Sequence, residues 1–276
     1  MTASKGGTAE AIAFVGGGVM AEAIIRGILA KGVAQKEDVT VGEPAEARRR
    51  HLTERYGVAT MEENLRACQG AGLVLLAVKP QSLREIFQEL QGRLKPSQSV
   101  LSIVAGARVK SLAQGLAHPN VIRAMPNTPA QIGAGVSVWT AASEVPKEAV
   151  QRARSILRAL GEEVYVSDEK LIDMATALSA SGPAYVFYFI ESLIDAGVYL
   201  GMPRDMARTL AVETVLGSAH LVKASGSHPG QLRDKVTSPG GTTIEGLLQL
   251  EEGGFKAAVM KAVIAAYKKS LALGEG

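Results

Sequence analysis

Short apolar runs alternate with charged, helix-periodic stretches through the first part of the chain. The apolar runs fall at 12–15, 39–41, 73–78, 100–104 and 121–124. Each has the length and the β-branched character of a buried strand. Between them lie 45–56, 61–68, 81–94 and 109–116, where apolar positions recur at helical spacing among Glu, Arg, Lys and Gln. Such alternation predicts right-handed βαβ units and a parallel sheet. Two more β-rich pieces, 135–140 and 163–166, bracket a helical pattern over 146–160 and extend the same sheet.

The pattern changes at Ser167-Asp168-Glu169. Asp168 or Ser167 is placed to cap the helix that follows. No strand pattern appears beyond this point. Leu171, Met174, Ala175 and Leu178 mark a helix that Ser181-Gly182-Pro183 interrupts. Glycine is permissive there, and proline removes a backbone donor. A second helix runs over 183–200, and Gly201-Met202-Pro203 ends it and opens a third. The third reaches about 224, a short helix surrounds Gln231, and two helices split at Gly253-Gly254 close the chain. The organisation is an α/β Rossmann-like domain over 1–168 followed by an all-α domain over 169–276. The helix 183–200 is apolar on more than one face, through Val186, Phe187, Phe189, Ile190, Leu193, Ile194, Val198 and Leu200. It is either a central core helix or a surface for subunit packing.

Composition narrows the class. The chain has 276 residues, 47% hydrophobic and 4% aromatic, so its core is built from Ala, Val, Leu and Ile. The apolar runs, such as 73–78, are far shorter than a membrane span. The polar residues 1–10 read as a loose tail without a secretory pattern. The net charge of +3 is small, and the longest basic run, Arg48-Arg49-Arg50, reads as a solvated helix face. With few aromatics to stack on bases, nucleic acid is not an expected partner. A single cysteine, Cys68, leaves no internal disulfide and no thiolate metal cluster. That usage fits a reducing cytoplasm, and no metal site is expected.

The chemistry begins where the first apolar run ends. Gly16-x-Gly18-x-x-Ala21 follows the strand 12–15 and opens a helix carrying Met20, Ile24, Ile25 and Ile28. In that context the glycines form a dinucleotide fingerprint. Gly16 permits the tight turn, Gly18 lets a pyrophosphate approach the backbone, and Ala21 lets helix and strand pack closely. The helix N-terminus faces the phosphates with free N–H groups and the positive dipole end. Glu43 follows the second strand, where a carboxylate can hold the ribose 2′-OH of NAD; Arg48 and Arg49 could instead hold the 2′-phosphate of NADP. Ala77-Val78-Lys79-Pro80 sits at the carboxyl end of a buried strand, the edge where doubly wound sheets bind ligands. Asn127 and Thr128, in a stiff two-proline loop, either bond the nicotinamide half or cap turns. None of the four histidines has a metal-ligand spacing or a neighbouring nucleophile, and Cys68 and Trp139 read as packing residues. The loop 237–243 carries Thr237, Ser238, Pro239, Gly240, Gly241, Thr242 and Thr243 just before a helix. Its exposed backbone N–H groups and the helix dipole suit a carboxylate.

These motifs together resemble pyrroline-5-carboxylate reductase over nearly the whole chain after the first ten residues. The resemblance rests on Phe14-Val15-Gly16-Gly17-Gly18-Val19-Met20-Ala21, Ala77-Val78-Lys79-Pro80-Gln81 and Arg123-Ala124-Met125-Pro126-Asn127-Thr128-Pro129. It rests further on Ser181-Gly182-Pro183-Ala184-Tyr185, Gly201-Met202-Pro203-Arg204 and Thr237-Ser238-Pro239-Gly240-Gly241-Thr242-Thr243-Ile244. The last three together are specific to the family. Two residues depart from it: Val19 stands where the family usually has Asn, and Ala180 where it usually has Gly. Val19 keeps its backbone N–H but loses any side-chain contact to the phosphates.

The resemblance implies a reductase that passes hydride from NADPH or NADH to 1-pyrroline-5-carboxylate and yields L-proline. It implies cofactor contacts from Gly16, Gly18, Val19, Met20, Ala21, Glu43, Asn64, Ala77, Val78, Lys79, Pro80, Val104 and Ala105. Substrate contacts fall to Glu169, Ser238, Gly240, Gly241, Thr242 and Thr243, with Thr243 nearest the ring nitrogen as the catalytic group. Family members pair their helical domains into homodimers, and some form decamers. Two rival readings remain at this stage. A β-hydroxyacid dehydrogenase would need a lysine base such as Lys223 or Lys235. A cofactor sensor would bind without turnover and would have no use for the loop 237–243.

Overall fold

The computed structural model describes residues 11–274. Its sheet has eight strands in the order β3-β2-β1-β4-β5-β6-β7-β8. These are β1 (Ile12–Val15), β2 (Val39–Gly42), β3 (Ala59–Met61), β4 (Leu73–Leu76), β5 (Ser99–Ser102), β6 (Val121–Met125), β7 (Gly135–Ala141) and β8 (Gly161–Tyr165). Between them run α1 (Val19–Ala30), α2 (Glu46–Tyr56), α3 (Asn64–Cys68), α4 (Leu83–Leu90), α5 (Val109–Leu116) and α6 (Lys147–Arg158). The chain winds outward from β1 in both directions, and its order reverses between β1 and β4. A doubly wound sheet opens its ligand crevice at that switch point.

The central strands are buried on both faces, which is why they read as unbroken apolar runs. Successive residues of β1 feed opposite cores. Ile12 and Phe14 join Ile24, Ile25 and Ile28 of α1 with Leu52 and Leu157. Ala13 and Val15 join Leu76, Ile86, Leu90, Leu112 and Leu116. The residues 1–10, expected as a loose tail, lie outside the described part.

Three sequence expectations are corrected. The sheet is not wholly parallel: β7 runs antiparallel to β6, and β8 parallel to β7. Residues 59–61 form β3, a short edge strand on β2, so Met61 belongs to a strand and the helix after it starts at Asn64. The segment expected as a helix over 81–94 is a 3₁₀ turn (Pro80–Ser82) followed by α4. The helix stops at Leu90 because Gln91 leaves the helical region (ψ 119°) and Gly92 turns left-handed at φ +68°.

After β8 come α7 (Lys170–Ala175), a π-helical turn (Thr176–Ala180), α8 (Gly182–Tyr199), α9 (Arg204–Ser225), α10 (Pro229–Lys235), α11 (Thr242–Glu252) and α12 (Phe255–Gly274). The N-cap of α7 is Glu169, which makes no side-chain cap, rather than Asp168 or Ser167; Asp168, one residue earlier, accepts the Lys170 N–H on Oδ1 at 2.9 Å. Gly201 takes φ +97°, a left-handed conformation that stops α8.

By internal packing the described chain forms two compact units. One runs through Ala180 and takes back the residues from Ala266; the other is Ser181–Ala265. Strands therefore stop near 165, but α7 and the π-helical turn pack with the sheet. The reason is an ion-pair cluster between β6 and α7. In the second unit α8 and α9 approach closely at Gly197, where a Cβ would come within 2.8 Å of Ala207 Cβ.

Candidate dinucleotide site and carboxylate loop

The glycine turn is built as the fingerprint requires. Gly16 has φ +91°, and a Cβ there would lie 3.0 Å from both Ala77 O and Val78 Cγ1. The β1 turn and the segment 77–80 thus meet at the switch point, and the Ala77 N–H donates to Val15 O at 2.9 Å. At Gly18 a Cβ would meet nothing within 4 Å, so the space beside that backbone is open to a ligand. Gly18 is the N-cap of α1 and supplies no side-chain cap. The first-turn N–H groups of Val19, Met20 and Ala21 are left to face an anion. Val19 is 64% exposed at this mouth, whereas Ala21 is fully buried against the sheet.

Glu43 lies directly after β2 and reaches the same turn. Its Oε2 accepts the Gly17 N–H at 2.9 Å, and its Oε1 accepts the Ala45 N–H at 3.0 Å. Gly17 is therefore a site residue that the fingerprint leaves unassigned; a Cβ there would lie 2.8 Å from Leu52 Cδ1. Its signal in the sequence is the unbroken run Gly16-Gly17-Gly18, of which it is the middle residue. Asn64 opens α3 beside the end of β2: a Cβ at Gly42 would be 2.5 Å from Asn64 Oδ1. Asn64 Nδ2 donates to Glu89 at 2.8 Å, while its Oδ1 is buried without a partner. That acceptor suits a hydroxyl donor. Open space at Gly18, an uncapped helix start and an orphaned acceptor beside β2 together fit a dinucleotide.

Val78 is half-buried, and Lys79 and Pro80 are exposed past the end of β4. Val104 and Ala105 follow β5, and the Val104 N–H reaches Ser102 Oγ at 3.3 Å. The cofactor residues predicted from the sequence thus all lie in the first unit, at or just beyond the carboxyl ends of β1 to β5. Asn127 does not reach outward. Its Nδ2 donates to Ser179 O at 3.1 Å and its Oδ1 accepts the Val136 N–H at 2.9 Å. It holds its turn, and Thr128 beside it is exposed.

A second group beside the turn escaped the sequence reading. Glu22, in the first turn of α1, accepts from Arg48, from Tyr56 Oη at 2.8 Å and pairs with His51 Nε2 at 2.9 Å. Burial raises its pKa, but the hydrogen bonds from His51, Tyr56 and Arg48 outweigh burial and hold it down at about 2. The Tyr56 hydroxyl is pushed up by burial and by Glu22. Arg48 Nε also donates to Gly17 O.

Glu169 is half-committed. Its Oε1 accepts the Val109 N–H at 2.8 Å and Arg123 at 2.9 Å, bracing α5 and β6 against the start of α7. The other carboxylate oxygen has no such bond.

In the second unit the loop 237–243 turns tightly into α11. Gly240 has φ +65°, and the Gly241 N–H donates to Ser238 O at 3.1 Å. A Cβ at Gly241 would lie 2.3 Å from Ser238 Oγ and 3.3 Å from Ser238 O, so the serine packs directly against the glycine. Gly241 caps α11 without a side-chain bond, leaving the N–H groups of Thr242 and Thr243 for an anion. Thr243 is half-buried, Ser238 and Thr242 are exposed.

Fold and turn define a dinucleotide-dependent oxidoreductase. Comparison with known proteins gives the family. The family described as "Pyrroline-5-carboxylate reductase dimerisation" matches residues 169–273, and "NADP oxidoreductase coenzyme F420-dependent" matches 11–106. The pyrroline-5-carboxylate reductase of Synechocystis is 44% identical over 96% of this chain and 98% of its own. That of Arabidopsis thaliana is 39% identical over 96% and 95%. The Plasmodium falciparum pyrroline carboxylate reductase, solved with NADP bound, superimposes with a TM-score of 0.88 at 33% identity over 96% and 98%. The chain belongs to the pyrroline-5-carboxylate reductase family, and the dehydrogenase and sensor readings fall away. Among the described residues no helix is long and apolar enough to cross a membrane.

Proposed function

We propose that this chain reduces 1-pyrroline-5-carboxylate to L-proline, the last step of proline biosynthesis, with the loop 237–243 holding the substrate. The observation that carries the assignment of the loop is the uncapped, glycine-opened start of α11. Backbone N–H groups of Thr242 and Thr243 hold the carboxylate, aided by the helix dipole. Ser238 keeps the turn closed around Gly241. The Thr243 hydroxyl bonds the ring nitrogen and fixes the plane of the imine. When bound, the reduced nicotinamide supplies hydride to the imine carbon. The π pair of the C=N bond then passes to the protonated nitrogen, leaving a secondary amine. The protein's share is orientation, which can lower a barrier by roughly 7–11 kcal/mol. No histidine base is needed. Glu169, through the carboxylate oxygen that Val109 and Arg123 leave unused, is the acidic group this reading assigns to substrate.

On the cofactor side, the residues named above cradle the pyrophosphate at Gly16 to Ala21 and the adenosine half at Glu43 and Asn64. Segments 77–80 and 104–105 line the path toward the nicotinamide. The helical unit pairs with a second copy, and a decamer is the largest assembly in keeping with this reading. The cytoplasm is the compartment this reading assigns.

Oxidation of reduced cofactor with 1-pyrroline-5-carboxylate tests the reaction. Thr243→Ala should lower kcat/KM by about tenfold, the worth of one well-placed hydrogen bond. Unchanged kcat and KM would remove Thr243 from its role.

A further inference from the structure

We propose that Glu43 makes this enzyme select NADH over NADPH; the inference rests on the cofactor-site reading above. Glu43 stands at the end of β2, where the adenosine ribose of a dinucleotide lies in this fold. Its carboxylate is fixed rather than swinging, because Gly17 and Ala45 each donate a backbone N–H to one of its oxygens, at 2.9 and 3.0 Å. Each oxygen keeps a further lone pair, so the group can still accept from the two ribose hydroxyls. A 2′-phosphate would instead bring about −1.5 to −2 charges against a carboxylate that cannot turn away.

The surroundings offer a phosphate nothing in return. The Glu43 N–H is spent on Met61 O at 2.9 Å, Pro44 has no N–H, and the Ala45 N–H is spent on Glu43 itself. The stretch Glu43-Pro44-Ala45-Glu46 carries two carboxylates and neither a cation nor a hydroxyl. The nearby cations are engaged. Arg48 bonds Gly17 O, Gly18 O and Glu22. Arg49 donates to Glu43 O at 2.8 Å and Pro44 O at 2.6 Å, with Glu62 3.7 Å away. His51 pairs with Glu22. To meet a phosphate either arginine must abandon these partners. Asn64 turns its acceptor, not its donor, toward Gly42. The side-chain acceptors beside the end of β2, the Glu43 carboxylate and Asn64 Oδ1, suit hydroxyl donors and not a phosphate.

The test is a titration of the full chain with NADH and NADPH, followed by calorimetry, and with ADP-ribose and its 2′-phosphorylated analogue. NADH should bind at least about tenfold more tightly, and the fragment pair should show the same order. Glu43→Gln, which keeps the shape and removes the charge, should narrow the ratio by about tenfold, mainly through tighter NADPH. Equal or tighter binding of NADPH by the native chain overturns the proposal alone, as does a Glu43→Gln variant with the native ratio. Failure of both dinucleotides and both fragments to bind would bring down the cofactor-site reading and this proposal with it. If the variant does not fold, the native ratio decides.

Discussion

Arg123 and Asp173 meet at 2.6 Å, with side chains only 2% and 4% exposed. Arg123 comes from the buried strand β6 and Asp173 from α7, so the pair ties the first residues after the sheet to its centre. Glu169 adds a second carboxylate to Arg123, and Arg108 lies 3.9 Å from Asp173. Removing one partner leaves a buried charge uncompensated. Asp173→Ala should cost about 3–5 kcal/mol, toward the lower end because Glu169 stays. Replacing both at once, Arg123→Met with Asp173→Leu, should cost clearly less than Asp173→Ala. Urea unfolding of the three proteins checks this. A single variant within about 1 kcal/mol of the native chain would show that the pair does not brace α7.

Gly16→Ala is expected to damage cofactor binding more than folding. The position has φ +91°, which costs an L-residue roughly 1–2 kcal/mol, and the new Cβ would press on Ala77 O. The turn must move, and with it the N–H groups of α1. The Kd for the preferred dinucleotide should rise by at least about tenfold, or about 1.4 kcal/mol. Gly18→Ala has open space for its Cβ and an ordinary φ of −66°, so its fold should be untouched. Any loss of dinucleotide affinity in that variant reports the approach of the ligand to the backbone. Calorimetric titration of both variants distinguishes the two effects.

How much of this was legible from residues alone depends on where each group finds its partners. The β1 turn and α1 were legible because strand, glycines and apolar helical spacing lie within a few consecutive residues. So was the loop before α11, whose signal is local. The edge strand β3 was not, because Ala59–Met61 is three residues long and half out of the sheet's core, with no run or alternation to mark it. The antiparallel setting of β7 was hidden as well. Burial gives a strand its apolar pattern, and the pattern carries no direction. The Arg123 cluster pairs residues 46 and 50 positions apart, and nothing in the run 121–124 marks which carboxylates its arginine will meet. Gly17 was overlooked because its contact, the Glu43 carboxylate, arrives from another strand.

Glu22 sets an acid limit on the fold. Its folded pKa, about 2, lies below the ordinary 4.5. The stability it contributes is therefore complete above about pH 4.5 and is lost as the pH falls toward 2. Glu22→Gln should be destabilised relative to the native chain at pH 7, and the difference should shrink steadily between pH 4.5 and 2. Urea midpoints across that range measure it. A difference that stays constant with pH would mean that Glu22 acts through packing and not through its charge.

Cys68 should be chemically silent. It is 2% exposed at the end of α3, and burial, with Glu89 adding to it, pushes its thiol up to about 12. Almost no thiolate exists near neutral pH, and the thiolate is the nucleophile. Alkylation at pH 8 should be undetectable in the native protein over hours and complete within minutes in urea. Rapid labelling of the folded chain would show that α3 opens, which would also loosen Asn64 at its first residue.

The helical unit leaves more apolar surface open than one chain can cover. No residue of α8 is buried, and Phe187, Tyr188, Tyr199 and Leu200 are 62%, 74%, 92% and 76% exposed. Covering one such aromatic is worth about 1.5–3 kcal/mol. In a twofold interface each substitution is felt twice. Phe187→Asp combined with Tyr188→Asp should therefore weaken self-association by at least about a hundredfold. Sedimentation velocity at micromolar concentration should find the native chain as a dimer or larger and the variant as a monomer. The far-ultraviolet signal of the variant should persist, because the eight-stranded unit keeps its own core. A variant that keeps the native mass would move the interface off this end of α8, to the other exposed apolar positions of α9, such as Met206, Leu210 and Leu216.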